Sequence, residues 1–271
     1  VMRIQTVEKP IVELIFADTS ICEGESINLG TSTVGPDLSY SWSGPNDFES
    51  TEQFPELESL DELDEGFYLL SISKGGCISD QASVELNIRA KPEQPTISSN
   101  GPICRDNTLS FSTLSSGASA YHWIQDGNNE FVTTNPTYSV PNADEGDAGT
   151  WQLFIVRNGC ESDLSNPTQA VVNPRPTAGA AALPNPVCQG GDIVLQGTSD
   201  LGGVIFQWNG PGLAMEQTIQ DLTLTNASFL DQGSYQLKVT SLAGCADTTS
   251  IFVQVLEGIS QVDLSYSAPN C

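Results

Sequence analysis

Four cysteines set a period. They stand in "ICEG" at Cys22, "ICRD" at Cys104, "VCQG" at Cys188 and "NC" at Cys271, at steps of 82, 84 and 83 residues. Self-similarity at a fixed spacing marks a repeated architecture and has to be read before any local pattern. The fold must therefore be one that about 83 residues complete, three times over.

Other landmarks keep the same step. After each early cysteine comes an alternating run: "SINLGTS", "TLSFSTL" and "DIVLQGT". An aromatic-x-Trp pair follows: Tyr40 and Trp42, Tyr121 and Trp123, Phe206 and Trp208. Then comes Asp-x-Gly-x-aromatic: Asp64, Gly66 and Tyr68; Asp147, Gly149 and Trp151; Asp231, Gly233 and Tyr235. A Gly-Cys pair closes the series at Cys77, Cys160 and Cys245. Period-two alternation marks half-buried strands. The pair Asn158-Gly159 is a strong hairpin signal, because both turn positions want positive φ. Trp at the centre of a short strand is a large plug for a thin core. In the Asp-x-Gly corner, Gly permits the tight bend and Asp hydrogen-bonds local backbone. A Tyr just after that corner resembles the tyrosine corner of immunoglobulin-type sandwiches.

These readings make the chain all-β: a tandem array of three immunoglobulin-like antiparallel β-sandwich domains with parts of flanking repeats. Residues 10–91, 92–174 and 175–257 are the three complete copies. Residues 1–9 read as the last strand of a preceding copy, and residues 258–271 as the start of a fourth. The linkers "RAKPEQP", "NPRP" and "LEGIS" are short, and their prolines predict stiff junctions and a rod of stacked sandwiches. The opening "VMRIQTVEKPIVELIF" lacks the pattern of a signal peptide, so a leader is expected to have been removed or the chain to be a piece of something longer.

Charge narrows the partners. Lys and Arg total 9 against 34 Asp and Glu, a net charge of −25. That argues against nucleic acid and anionic membrane surfaces, which need basic patches. The lack of a run of eighteen apolar residues argues against a membrane-spanning helix. The acidic clusters "ELESLDELDEG" and "NADEGDAG" offer Asp61, Asp64, Glu65, Asp144, Glu145 and Asp147 as weak calcium candidates, since hard cations take oxygen ligands. No acidic pair motif recurs in all three copies, so plain surface charge is the leading reading and no cofactor is expected.

Cys22, Cys77, Cys104, Cys160, Cys188 and Cys245 form an early and a late cysteine in each copy, which points to structural disulfides in an oxidising compartment. Three pairings fit the period. One closes each copy on itself. A second joins the early cysteine of one copy to the late cysteine of the next, Cys22 with Cys160 and Cys104 with Cys245. A third ties each late cysteine to the next early one: Cys77 with Cys104, Cys160 with Cys188, and Cys245 with Cys271. The first has a difficulty. In a standard immunoglobulin topology the two positions lie at opposite ends of the sandwich, and eight strand residues already span about 26 Å. A disulfide needs Cα atoms within about 7 Å.

The framework "ICEGESINL", "YSWSGPNDF" and "DEGFYLLSISKGGC" resembles the immunoglobulin-like or PKD-like repeats of large Bacteroidetes surface proteins, among them gliding-motility adhesins and cargo of the type 9 secretion system. The resemblance implies export across the outer membrane, display in long arrays, and no catalytic residues. The middle copy departs from it: "CRDN" lacks the Gly after Cys, and "WIQDGNN" replaces "WSGPND".

Nothing in the sequence assembles an active site. His122 is the single histidine and sits between Tyr121 and Trp123, so alternation turns it away from the core. No phosphate loop or HExxH motif is present. The expected function is a structural and adhesive segment of a long extracellular stalk or filament on a bacterial cell, not an enzyme. The alternative is a glycan- or protein-binding accessory module of a secreted multidomain protein. Expected partners are neighbouring repeats of the same polypeptide, further copies in a fibre, and a glycan or surface ligand.

Overall fold

The strand after each Asp-x-Gly corner shows why these segments become sheet. Gly66–Lys74 buries Tyr68, Leu70 and Ile72, while the residues between them point the other way. Gly149–Arg157 does the same with Trp151, Leu153 and Ile155, and Gly233–Thr240 with Tyr235, Leu237 and Val239. Period-two burial on one face leaves the other half-exposed, the pattern of an antiparallel sheet packed on one side. The computed structural model describes residues 8–15, 20–213 and 215–258.

In the first copy one sheet runs in the order Ser20–Cys22, Ala82–Arg89, Gly66–Lys74, Leu38–Ser43, Glu49–Ser50. Ile27–Asn28 pairs with Glu56–Leu57 on the opposing layer. In the third copy, Ala178–Leu183, Ile193–Ser199 and Asp221–Leu224 form one sheet, and Ile205–Asn209, Gly233–Thr240 and Ala246–Val253 the other. In the second, Asn129–Thr133, Ala120–Gln125, Gly149–Arg157 and Cys160–Glu161 form one sheet, and Thr137–Val140, Leu109–Ser112 and Ser98–Ser99 the other. Two antiparallel layers with this order are immunoglobulin-like sandwiches. The all-β, immunoglobulin-like fold expected from the sequence is the fold found.

One feature departs from pure antiparallel pairing, and it recurs. The short strand carrying each early cysteine runs parallel to the end of its own copy's last strand: Cys22 opposite Arg89, Cys104 opposite Asn173, Cys188 opposite Leu256.

Trp42, Trp123 and Trp208 are at most 1% exposed and sit at one register position, opposite Leu70, Leu153 and Leu237. Each indole N–H has a partner: the Glu52 carbonyl, the Thr133 hydroxyl and the Gln220 carbonyl. Buried Trp needs that partner, since an unmet N–H would offset much of the gain from burying the ring. Around Trp42 pack Leu29, Leu57, Leu60, Leu70, Ile72 and Leu86; around Trp208 pack Ile193, Leu195, Leu237, Val239 and Val253.

By contacts the chain divides into two compact units, and the division passes through the middle copy. One unit takes the described residues up to Ser99 with Phe111–Tyr138 and Thr150–Gln169; the other takes Asn100–Ser110, Ser139–Gly149 and the described residues from Ala170 onward. The strand expected at residues 1–9 lies outside the described residues except for Glu8 and Lys9, which are not in a strand. The fourth copy expected from residue 258 lies outside them beyond Gly258.

Candidate functional site

The Asp-x-Gly corners are built around a phenol. Tyr68 Oη donates to the Asp64 carbonyl at 2.9 Å, and Tyr235 Oη donates to the Asp231 carbonyl at 3.0 Å and the Pro211 carbonyl at 2.6 Å. Burial, reinforced by the nearby Asp64 or Asp231 carboxylate, pushes each phenol up to about 12. Gly66, Gly149 and Gly233 take φ of 140°, 125° and 148°, a region that favours glycine.

Two residues the sequence reading passed over complete the corner. A Cβ on Gly44 would lie 2.5 Å from the Tyr68 ring, and one on Gly210 would lie 2.4 Å from the Tyr235 ring. The Gly-Pro of "WSGP" and "WNGP" is thus the floor on which the tyrosine lies. The middle copy lacks both the Gly-Pro and the Tyr. Trp151 stands there instead and packs with Phe111, Phe131 and Tyr138, at centroid distances of 4.4, 5.7 and 5.7 Å. Asp126 takes over the loop, accepting from the Thr150 amide at 2.8 Å. The replacement of "WSGPND" by "WIQDGNN" and of Tyr by Trp151 thus go together, whereas Asp106 in "CRDN" takes separately, at φ 68°, the positive-φ position that Gly24 and Gly190 hold in the other copies.

The acidic clusters also have a structural account. A 3-10 turn precedes each corner, at Glu62–Asp64, Glu145–Asp147 and Phe229–Asp231, and each starts with a reciprocal capping box. Asp61 accepts from the Leu63 amide at 2.7 Å while Asp64 accepts from the Asp61 amide at 3.0 Å. Asp144 and Asp147 repeat this at 2.7 and 2.9 Å. In the third copy Ser228 does the work of the first Asp, accepting from the Leu230 amide at 3.2 Å. Exchange of Ser for Asp is ordinary at an N-cap, and it hid the recurrence. Glu65 accepts from the Ile88 amide at 3.2 Å, and Glu145 is paired with Arg105. Each of the six calcium candidates thus makes a local contact, and among the described residues no group of three His, Cys, Asp or Glu is placed to hold a metal.

The cysteines show the least expected geometry. Cys22 is bonded to Cys160 and Cys104 to Cys245, each with Cα atoms 5.6 Å apart. This is the second of the three pairings. Bonds closing each copy on itself are excluded, because Cys22, Cys104, Cys160 and Cys245 are engaged elsewhere. The pairing of each late cysteine with the next early one, including Cys245 with Cys271, fails for the same reason; Cys271 itself lies outside the described residues. The physical cause is the parallel strand. It carries Cys22 to the far end of the last strand, beside Arg89, whereas Cys77 begins the segment that leads into that strand. The eight residues of the strand Ala82–Arg89 lie between those ends, about 26 Å. Cys160, just after the Asn158-Gly159 turn, meets Cys22 instead: its sulfur is 3.8 Å from the Arg89 carbonyl. Arg89 Nη1 donates to the Asn158 carbonyl at 2.8 Å and its Nη2 to the Ser20 carbonyl at 3.0 Å. Sequence spacing gave no hint that Arg89 ties this place together. Cys188 occupies the same parallel position opposite Leu256 and is exposed.

His122 points off the face opposite Tyr121 and Trp123, but it is covered: it stacks on Phe154 at 4.3 Å, and Nδ1 meets Glu130. A cleft of about 770 Å³ is lined by Arg89, Lys91, Pro92, Leu114 and Arg157, with Glu93 its one carboxylate. Arg89 is held as above, Lys91 pairs with Asp163 at 2.7 Å and Arg157 donates to the Ser116 carbonyl at 2.5 Å, while Nε of Arg89 and of Arg157 is buried without a hydrogen-bond partner among the described residues.

No protein-family model matches the chain, and no curated protein matches it. Among solved structures it is similar to Drosophila OTK extracellular domains 3–5, at 15% identity and a TM-score of 0.39, over 90% of this chain and 97% of that one. It is similar to the N-terminal eight Ig domains of Down Syndrome Cell Adhesion Molecule, at 13% identity and a TM-score of 0.48, over 92% of this chain and 37% of that one. It is also similar to the full ectodomain of mouse nectin-like molecule 4, at 16% and 0.38, over 90% and 99%.

Proposed function

We propose that this chain is a structural and adhesive segment of a longer extracellular array of immunoglobulin-like repeats, displayed on a bacterial cell, with copies at residues 10–91, 92–174 and 175–257. The observation that carries the reading is the disulfide pattern. Each bond joins an early cysteine to the late cysteine of the following copy. Such a bond has a purpose only where copies follow one another, and it needs an oxidising compartment to form and persist. The resemblance of the cysteine, Trp and Asp-x-Gly framework to Bacteroidetes surface repeats supports that group as the source and type 9 secretion as the route. Its partners are then the neighbouring repeats, further copies in a fibre, and a surface ligand.

The test is antibody labelling of intact cells that produce the protein, with external protease as a second reading. Surface label that protease removes is the expected result. Signal found only after the cells are broken would overturn the proposal.

A further inference from the structure

The two disulfides among the described residues overlap along the chain. Cys104 lies inside the segment closed by Cys22–Cys160, and Cys160 lies inside the segment closed by Cys104–Cys245. Fusing the bonded residues leaves two covalent nodes. One is Cys22 with Cys160; the other is Cys104 with Cys245. Three arms connect them: 82 residues from Cys22 to Cys104, 56 from Cys104 to Cys160, and 85 from Cys160 to Cys245. The N-terminal end enters at the first node and the C-terminal end leaves from the second.

Each arm holds the central strands of a different copy. The first contains Leu38–Ser43 and Gly66–Lys74, the second Ala120–Gln125 and Gly149–Arg157, the third Ile205–Asn209 and Gly233–Thr240. We infer that the two disulfides convert the central strands of three sandwiches from loading in series to loading in parallel, making the chain a tension-bearing element that resists stepwise unfolding. In an unlinked tandem chain each domain feels the full pull and the weakest opens first. Here the nodes separate only if all three arms lengthen together. Each arm contains a buried Trp with its paired Leu, so the resisting forces of the central strands add; Ala246–Val253, which packs Val253 on the Trp208 core, lies beyond the second node and is pulled in series. The middle arm is traversed backwards, from Cys160 to Cys104, and being shortest it sets the limit.

The covalent limit follows from chain dimensions. At roughly 3.5 Å per residue, the oxidised chain held by its two ends stretches to about 370 Å, against about 950 Å when reduced. Because the loops overlap, the releases are unequal. Loss of one bond adds only about 90–100 Å; loss of the second adds about 480–490 Å. Three separate bonds closing single copies would release three steps of about 200 Å each.

Single-molecule force spectroscopy on the full chain, tethered at its ends, reads this directly and does not depend on where the protein is displayed. Once the outer strand Ala246–Val253 has been drawn from its sheet, the oxidised chain is expected to open its three arms in one concerted event at higher force than any event of the reduced chain, and to stop near the 370 Å limit. Adding dithiothreitol under tension should then give the small release followed by the large one. The double variant Cys22→Ser/Cys160→Ser should begin about 90 Å longer and show only the large release. Reductive steps depend on covalent length alone, so they remain readable even if a variant folds poorly. Oxidised chains that open copy by copy at the forces of the reduced chain would overturn the inference. So would reductive steps of equal size.

Discussion

Cys22 faces Arg89 across a parallel strand pair in its own copy, while its sulfur is bonded to Cys160 in the next. That pairing is a consequence of topology. A strand that crosses to run beside the last strand ends where that strand ends, and the late cysteine of the same copy is left at its other end. Non-reducing peptide mapping should therefore yield a Cys22–Cys160 peptide and a Cys104–Cys245 peptide. A Cys22–Cys77 or Cys245–Cys271 peptide would contradict the structure. Cys188, exposed in the same parallel position, should label rapidly with a thiol reagent in the folded protein.

The corner tyrosines give stability a dependence on alkaline pH. Folded Tyr68 and Tyr235 hold their protons up to about pH 12, while an unfolded tyrosine loses its proton near 10. Between those values the unfolded chain binds fewer protons, so stability falls as pH rises through the window; below pH 10 the contribution is whole. Denaturant unfolding of Tyr68→Phe/Tyr235→Phe should show a shallower loss of stability between pH 9 and 12 than the parent. At neutral pH each change should cost about 1 kcal/mol for the lost hydrogen bond. Identical pH slopes would remove the phenols from the account.

Much of this was legible in the sequence, and the reasons differ by residue. The Trp positions and the strand alternation could be read because burial on one face of a strand is a period-two signal. Gly44 and Gly210 were not read, because nothing local says that a glycine floors a tyrosine more than twenty residues away. Ser228 was missed because hydrogen-bonding equivalence, not identity, is what recurs. The disulfide pairing stayed open because spacing alone does not say which end of the last strand the early cysteine reaches. The parallel pairing that decides it is a long-range contact.

The glycine floor makes a sharp comparison. Gly210→Ala places a methyl 2.4 Å from the Tyr235 ring, whereas a Cβ on Gly202 meets nothing within 4 Å and its φ is not positive. Overfilling a packed site costs about 1–3 kcal/mol. Gly210→Ala should lower the thermal midpoint accordingly, and Gly202→Ala should leave it unchanged or slightly raised. Equal midpoints for the two variants would mean that the Tyr235 ring moves freely away from its loop.

The capping box of the third copy should respond to chemistry rather than to residue name. Ser228 accepts from the Leu230 amide, and Asp231 accepts from the Ser228 amide at 2.8 Å. Ser228→Ala removes the first acceptor and should cost about 1 kcal/mol. Ser228→Asp restores an acceptor in the geometry that Asp61 and Asp144 already use, and should return most of that loss. It also adds one negative charge to a chain already at −25, so the recovery should grow with ionic strength as the repulsion is screened. Urea midpoints of the three proteins at low and moderate salt decide it. A Ser228→Asp protein no more stable than Ser228→Ala at either salt would show that the turn is held by the Tyr235 contact and not by its cap.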